Sequence, residues 1–317
     1  MCAEPSRHPR LFVTGDTHGP DGHGPDGYVN RFSPASFPEQ EELTKEDTVL
    51  LAGDFGAVWD WDKRFVPADC QYLKYSGEPH RPNLPFGESM AEKRWLDWLA
   101  ERPFTVAAVP GNHENYDRLY GAYPLVPFAG GTARRIRPNV YYLERGQVYT
   151  IAGRTVFAFG GAPSHDIYGG ILRPADYATW GDFRKALRTL QAGYNPFRIE
   201  HISWWKEENP NKEEMARGLK ALDQVGWHVD LVLTHEMPDL IIKEMDLDPG
   251  DLSDYLGQIM RRLSYRFWIG GHYHFDTEFL AKREWVRRHE GDEAAQNCQS
   301  REYILYDQIL EVPWAKQ

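Results

Sequence analysis

Short apolar segments recur along the whole chain, and each is bounded by glycine or polar residues. This pattern is typical of strands that are buried on both faces. We predict strands at 11–14, 48–52, 104–109, 155–159, 231–234 and 267–269. Helical patterns lie between several of these strands, at 90–101, 175–191, 212–225 and 253–263. The combination predicts a layered α/β fold in preference to an all-β fold.

The chain of 317 residues contains no internal repeat and no linker-like stretch, so we predict one domain over 1–317. Two proline- and aromatic-containing stretches, near 60–89 and 164–211, interrupt the pattern. We predict that both are insertions over one rim, where they either decorate the surface or, as we favour, form a substrate-selecting cap. The last apolar segments flank Asp307-Gln308, which predicts a C-terminal hairpin near 302–312.

Composition excludes several classes of protein. The net charge of -11 argues against salt-driven binding of nucleic acid, so we expect nucleic acid only as a substrate. Cysteines 2, 70 and 298 have no CxxC spacing, so they suggest neither a thiolate zinc site nor a disulfide framework, and a reducing cytoplasm fits best. No stretch is apolar enough to predict export or membrane insertion. Nothing in the sequence indicates an oligomeric state.

A polar block follows five of the six predicted strands. The blocks are GDTH at 15–18, GD at 53–54, GNHE at 111–114, His235, and GGHYH at 270–274. Because open α/β folds place their sites at the carboxyl ends of strands, we expect these side chains to converge on one edge. Carboxylate, amide and imidazole donors without thiolates suit ions such as Mn, Fe or Zn better than calcium. There are enough donors for two ions.

This ordered series resembles the calcineurin-like metallophosphoesterase family, whose pattern is DxH, GD, GNH followed by an acid, H, and GHxH. All five blocks are present in that order between residues 15 and 274. The longer strings at 53–59, 111–117 and 203–210 are similar to those of a bacterial and phage-associated branch. The resemblance implies a layered αββα sandwich with insertions at the rim.

The resemblance also implies a role for each matching residue. One metal would be held by Asp16, His18 and His274, and the other by Asn112, His235 and His272. Asp54 would bridge the two ions, and His113 would contact the phosphate or protonate the leaving oxygen as a general acid. The cofactors would be two divalent ions, with Mn favoured over Fe or Zn.

The function implied is hydrolysis of a phosphomonoester or phosphodiester by a hydroxide that bridges the metals. We expect the substrate to be a nucleotide, a nucleic-acid end or another small phosphorylated molecule. One alternative is a metal-stabilised binding or regulatory protein without turnover, which the intact His113 argues against. A phosphoprotein phosphatase is a further alternative, disfavoured because no acid or arginine closely follows Asp54.

The partner that would orient His113 is left open by the sequence. Glu114, Asp60 and Asp62 are the acidic candidates, and their spacing does not distinguish them.

Three residues are candidates for substrate contacts. Arg118 lies one helical turn past Glu114, and its guanidinium can engage two phosphate oxygens. His165 and Asp166 follow the predicted strand at 155–159 and can reach the rim of the site.

Overall fold

The computed structural model describes residues 7–20, 27–60 and 87–314. Most of the first predicted insertion, near 60–89, lies outside these ranges, as does Asp62. Within the described ranges, no helix combines the length and the apolar character needed to cross a bilayer.

The first sheet has seven strands. In chain order they are β1 Leu11–Thr14, β2 Thr48–Leu51, β3 Thr105–Ala108, β4 Leu125–Phe128, β5 Gly131–Arg137, β6 Val140–Leu143 and β15 Leu310–Glu311. Their spatial order is β15-β1-β2-β3-β6-β5-β4. The strands β1, β2, β3 and β6 are parallel, and the remaining pairings are antiparallel.

The second sheet has six strands. They are β7 Gln147–Ile151, β8 Arg154–Phe159, β11 Leu231–Thr234, β12 Phe267–Gly270, β13 Thr277–Phe279 and β14 Arg301–Ile304. Their spatial order is β13-β14-β12-β11-β8-β7, and β8, β11, β12 and β14 are parallel. A separate pair of short parallel strands is formed by β9 Ile171–Leu172 and β10 Arg198–Ile199.

The helices lie between the strands in sequence. They are α1 Tyr28–Arg31, α2 Met90–Glu101, α3 Tyr116–Ala122, α4 Trp180–Ala192, α5 Lys212–Gln224, α6 Asp239–Glu244, α7 Asp251–Arg262, α8 Ala281–Glu290 and α9 Asp292–Asn297. The N-termini of three long helices are capped by the side chains of Ser89, Thr179 and Asn211, which satisfy backbone N–H groups of the first turn. Because Thr179 caps α4, this helix begins later than the predicted residue 175.

Three apolar layers hold the fold together. A middle layer between the two sheets contains Val13 and Leu50 of the first sheet and Leu233 of the second. The outer face of the first sheet packs on α1 and α2, and the outer face of the second packs on α5 to α8. Central strands therefore have both faces covered, which explains their continuous apolar sequences. The architecture confirms the predicted αββα sandwich.

The predicted C-terminal hairpin near 302–312 is wrong. Tyr303 of β14 pairs with Ile269 and Glu278 in the second sheet, whereas Leu310 of β15 pairs with Val13 in the first sheet. The turn residues in the sequence mark a change of direction, but the two strands find their partners in different sheets.

The second predicted insertion, 164–211, contains β9, β10 and α4 and has its own small apolar cluster. That cluster consists of Leu172, Phe183, Leu187, Phe197, Ile199 and Ile202. The insertion is tied to the body of the protein through Asp117 of α3, which accepts hydrogen bonds from Trp205 Nε1 at 2.6 Å and from His201 Nδ1 at 2.9 Å. We use the term cap insertion for residues 164–211 below.

Candidate metal centre

The five polar blocks meet at one edge of the sandwich. The strands β1, β2 and β3 are adjacent and parallel in one sheet, and β11 and β12 are adjacent and parallel in the other. Five side chains at this edge stand on residues with left-handed backbone angles, which non-glycine residues rarely adopt. They are Asp16 (φ 49°), His18 (φ 49°), Asp54 (φ 46°), His272 (φ 74°) and His274 (φ 55°). Such strain concentrated at one place is characteristic of a functional site.

Asp54 lies at the middle of the cluster and is only 1% exposed. Its Oδ2 atom is 3.2 Å from Nε2 of His18, and its Oδ1 atom is 3.3 Å from Nε2 of His235. The backbone N–H of His113 also donates to Oδ1, at 2.8 Å. Each oxygen of this carboxylate therefore faces a different imidazole.

The group around the Oδ2 side consists of Asp16, His18, Asp54 and His274. One potential ligand atom from each of these residues lies within 4.8 Å of the others, so the four can hold a metal ion. The side chain of His274 is 44% exposed, whereas Asp16 and Asp54 are buried. This group is therefore open to solvent on the His274 side.

The group around the Oδ1 side contains Asn112, His235 and His272. The Oδ1 atom of Asn112 is 3.1 Å from Nε2 of His235, and the rings of His235 and His272 are 4.9 Å apart. The amide nitrogen of Asn112 donates to Ser164 Oγ at 3.5 Å, and Ser164 in turn donates to Glu208 at 2.7 Å. These outer contacts turn the amide oxygen of Asn112 toward the imidazoles.

Backbone carbonyl groups orient two of the imidazoles. Nδ1 of His235 lies 2.7 Å from the Ala52 oxygen, and Nδ1 of His18 lies 3.0 Å from the Asp16 oxygen. Such contacts fix the tautomer and direct Nε2 toward a metal. Gly53 makes room for His235, because a Cβ at this position would be 2.2 Å from Nδ1 and the residue has a φ of 93°. Glycine is therefore favoured at position 53 both because there is no space for a side chain and because the backbone is left-handed.

Burial and close charges perturb the pKa values of these groups. Burial raises the pKa of Asp16 to about 7, against the attraction of His235. Burial also opposes ionisation of Asp54, but the charge of His235 and the hydrogen bonds from His18 and His235 outweigh it and hold the pKa of Asp54 well below its usual range. Burial lowers the pKa of His235, but Asp54 reverses this and raises it to about 10. A buried carboxylate whose ionised form is favoured in this way is suited to bind a divalent cation. The donor set thus fits the metals implied by the resemblance.

His113 lies at the edge of this cluster, with its ring 5.2 Å from that of His18. Burial lowers the pKa of His113 to about 3; Asp54 opposes this shift, and the nearby cation Arg198 adds to it. Nη2 of Arg198 is 3.4 Å from Nε2 of His113, and the same guanidinium forms an ion pair with Asp166. Arg198 belongs to no motif, and only its place between the apolar residues Phe197 and Ile199 could have marked it in the sequence.

The acidic candidates for orienting His113 have other partners. Glu114 accepts the backbone N–H of Phe55 at 2.8 Å and the hydroxyl of Tyr142 at 2.7 Å. Burial raises the pKa of Glu114 to about 8. Asp60 accepts the backbone N–H of Ser89 at 2.8 Å. Glu114 therefore supports the turn that carries the second block.

The expectation that Arg118 contacts the substrate is corrected by its position. Arg118 is buried in an ion pair with Glu92, in which two N···O contacts measure 2.7 Å. Its guanidinium also donates to the Asp60 carbonyl and to Tyr123. Both terminal nitrogens of Arg118 are thus committed to partners among the described residues, which argues against a contact with the phosphate.

The other two candidate substrate residues lie beside the site. The ring of His165 is 5.1 Å from that of His272, and His165 is exposed. Asp166 reaches the site through its ion pair with Arg198.

The sequence was compared with models of known protein families. The family model described as calcineurin-like phosphoesterase matches residues 9–276. This range contains all five polar blocks and every residue of the groups described above on the Oδ1 and Oδ2 sides of Asp54. No curated protein matches the sequence.

Proposed function

The chain belongs to the calcineurin-like phosphoesterase family, and we propose from this premise that it hydrolyses phosphate esters with two divalent metal ions. A metal-dependent phosphoesterase agrees with the family and with the cluster of Asp16, His18, Asp54 and His274. The number of ions, the roles of the individual residues and the substrate are parts of the proposal.

The observation that carries the proposal of two ions is the position of the Asp54 carboxylate. Its Oδ2 atom is 3.2 Å from the imidazole of His18, and its Oδ1 atom is 3.3 Å from that of His235. A carboxylate that serves a single ion has no need of imidazoles on both oxygens. A carboxylate that bridges two ions requires such a ligand group on each side.

We assign the ligands to two groups that share Asp54. One group is Asp16, His18 and His274, and the other is Asn112, His235 and His272. When bound, two divalent ions supply electrostatic stabilisation of the phosphoryl oxygens and activation of the water that attacks phosphorus. The protein residues would fix the ligand geometry, and two of them, Asp16 and Asp54, are almost fully buried.

His113 is proposed to act on the substrate. Its backbone is fixed by the hydrogen bond to Asp54, and its ring lies at the edge of the ligand groups. Burial holds the imidazole neutral near pH 7, since its pKa is lowered to about 3. An arriving phosphate is an anion and favours the protonated form of a neighbouring imidazole. His113 would then donate a hydrogen bond to a phosphoryl oxygen or a proton to the leaving oxygen.

We propose a phosphomonoester or phosphodiester of a nucleotide, of a nucleic-acid end or of another small phosphorylated molecule as the substrate. The net charge of -11 opposes broad binding to a nucleic-acid backbone. A small ester depends less on long-range attraction, because the metals and the residues of the site provide the positive charge locally.

Metal analysis combined with turnover tests the proposal. The purified protein is expected to hold two equivalents of metal, to lose turnover of p-nitrophenyl phosphate and bis-p-nitrophenyl phosphate on chelation, and to regain it with Mn more effectively than with Ca. Asp54→Asn should lose both metal and turnover, while Asp182→Asn on the exposed surface of α4 should retain both.

Two outcomes would contradict the proposal. Undiminished turnover after confirmed removal of metal would exclude a metal-dependent mechanism. Full metal occupancy without turnover of any ester in a broad screen would favour a metal-stabilised binding protein instead.

A further inference from the structure

The cap insertion delivers a guanidinium group to the candidate general acid. Arg198 lies on β10, between Phe197 and Ile199, both of which are buried in the apolar cluster of the insertion. Because successive side chains of a strand point to opposite faces, Arg198 is directed away from that cluster. It reaches His113, which belongs to the third polar block of the sandwich, with Nη2 at 3.4 Å from Nε2.

An ion pair fixes the orientation of this guanidinium. Asp166, in the loop after β8, accepts from Nε of Arg198 at 3.2 Å and also from Nη2. The Arg198 side chain is 15% exposed, and its Nη1 atom makes no hydrogen bond to any described residue. One edge of the guanidinium is therefore held by Asp166, and a donor on the other side remains available to a ligand.

The contact between Arg198 and His113 is well suited to an anion. Both side chains can donate hydrogen bonds, and they meet beside the two ligand groups, where a substrate phosphate would lie. An oxygen of the phosphate can accept from both donors. Guanidinium donors match the geometry of phosphate oxygens, and they keep their positive charge at every working pH.

We propose that Arg198 binds a phosphoryl oxygen of the substrate beside His113, and that Asp166 acts as a positioning residue that holds the Arg198 guanidinium. This inference rests on the proposed function, because it assumes that the metal centre presents a phosphate to His113. The carboxylate of Asp166 does not itself contact the phosphate. The cap insertion thereby supplies one of the groups that bind the reacting phosphate.

The experiment compares metal-loaded variants of the full chain. Arg198→Ala removes the guanidinium, Arg198→Lys keeps the charge without the planar fork, and Asp166→Asn weakens the support. Arg184→Ala is the matched control, because Arg184 lies in the same insertion on the exposed face of α4 and bonds only to the Trp180 carbonyl among described residues. Three quantities are measured for each protein: metal content, KM and kcat for p-nitrophenyl phosphate, and the Kd of inorganic phosphate by calorimetry.

Arg198→Ala is expected to keep the wild-type metal content but to raise KM and the phosphate Kd by about 10- to 100-fold, the value of a lost charge-assisted hydrogen bond. Arg198→Lys should recover part of this loss, because the charge remains. Asp166→Asn should raise KM by a smaller factor than Arg198→Ala, with kcat less affected than KM. Arg184→Ala should leave both constants within about twofold of wild type, as expected for an exposed surface change.

Several results would overturn the inference. An unchanged phosphate Kd and KM in Arg198→Ala would make the pair with Asp166 purely structural, and loss of metal in that variant would assign Arg198 to the support of the centre. A wild type that binds phosphate through Arg198 but hydrolyses no ester would refute the proposed function and leave Arg198 as a phosphate-binding residue. A metal-loaded wild type without either property would refute both.

Discussion

Gly111 lies directly against Asp54. A Cβ atom at position 111 would be 2.0 Å from the Oδ1 atom of Asp54 and 2.5 Å from its backbone nitrogen. The glycine of the third polar block therefore allows the residues that follow β2 and β3 to approach each other closely. It allows the backbone that carries Asn112 and His113 to lie beside the carboxylate at the middle of the metal centre.

Gly111→Ala is expected to displace Asp54 and to remove bound metal from a protein that still folds. The clash is with backbone as well as with side-chain atoms, so a rotamer change cannot relieve it. Metal content by mass spectrometry and the thermal midpoint of the metal-free protein separate the two effects. The control is Gly250→Ala, where a Cβ atom meets nothing within 4 Å. Full metal content in Gly111→Ala would show that the strand ends adjust freely.

His113→Ala is expected to keep both metals and to lower kcat by roughly two to four orders of magnitude, if proton transfer to the leaving oxygen is lost. The loss should be smaller for nitrophenyl esters than for alkyl esters, because nitrophenolate leaves without protonation. Turnover of both ester types and metal content are measured. An equal loss for both leaving groups would indicate that His113 binds the phosphate without transferring a proton.

Arg118→Ala is expected to destabilise the protein without changing KM in the folded fraction. It leaves the buried carboxylate of Glu92 without its partner, which costs about 3–5 kcal/mol in comparable buried pairs. Denaturant unfolding measures the loss of stability. The double variant Arg118→Met with Glu92→Leu should recover part of it, because no buried charge remains but the backbone N–H groups of Trp59 and Asp60 lose their acceptor. A large rise in KM in Arg118→Ala would indicate instead that Arg118 contacts the substrate.

Glu302→Gln is expected to make the free energy of unfolding less dependent on pH. Burial raises the pKa of Glu302 to about 7, only partly opposed by the hydrogen bond from Tyr265. Between the ordinary pKa of the unfolded chain and pH 7, the unfolded state ionises first, so wild-type stability falls as pH rises. The stability of the variant relative to wild type should therefore increase by about 1–3 kcal/mol between pH 5 and pH 8.

Denaturant unfolding at both pH values measures this difference. Glu293→Gln, on the exposed face of α9, is the control and should show no comparable change. If the difference in unfolding free energy between Glu302→Gln and wild type did not change with pH, Glu302 would be ionised in the folded protein.

The sequence was most informative where local pattern and burial agree. The segments 11–14 and 231–234 were predicted with the bounds that the structure has, because strands covered on both faces are continuously apolar. The polar blocks could be found because each follows such a strand. Their side chains converge as expected, because adjacent parallel strands bring their carboxyl ends to one edge of a sheet.

The features that could not be predicted from the sequence are contacts between residues that lie far apart along the chain. Arg118 was expected at the phosphate from helical spacing, but Glu92 pairs with it inside the protein. Arg198 carries no motif, and only the folded cap insertion brings it to His113. The strands β14 and β15 looked like a hairpin because a turn signal reports a reversal and does not identify the sheet that each strand joins.

The separation of β14 and β15 into different sheets has a consequence for synthesis of the chain. Residues 305–309 pass from the second sheet to the first beside the metal centre, where the ring of Tyr306 stacks on that of His274 at 4.9 Å. Among the described strands, β15 is the one that pairs with this side of β1, so during synthesis the side stays open until Leu310 and Glu311 have been made. An open strand edge is prone to pair with other chains. Pairing with Leu310 and Glu311 therefore covers this side of β1 late, and until then the strand edge is open to association with other chains.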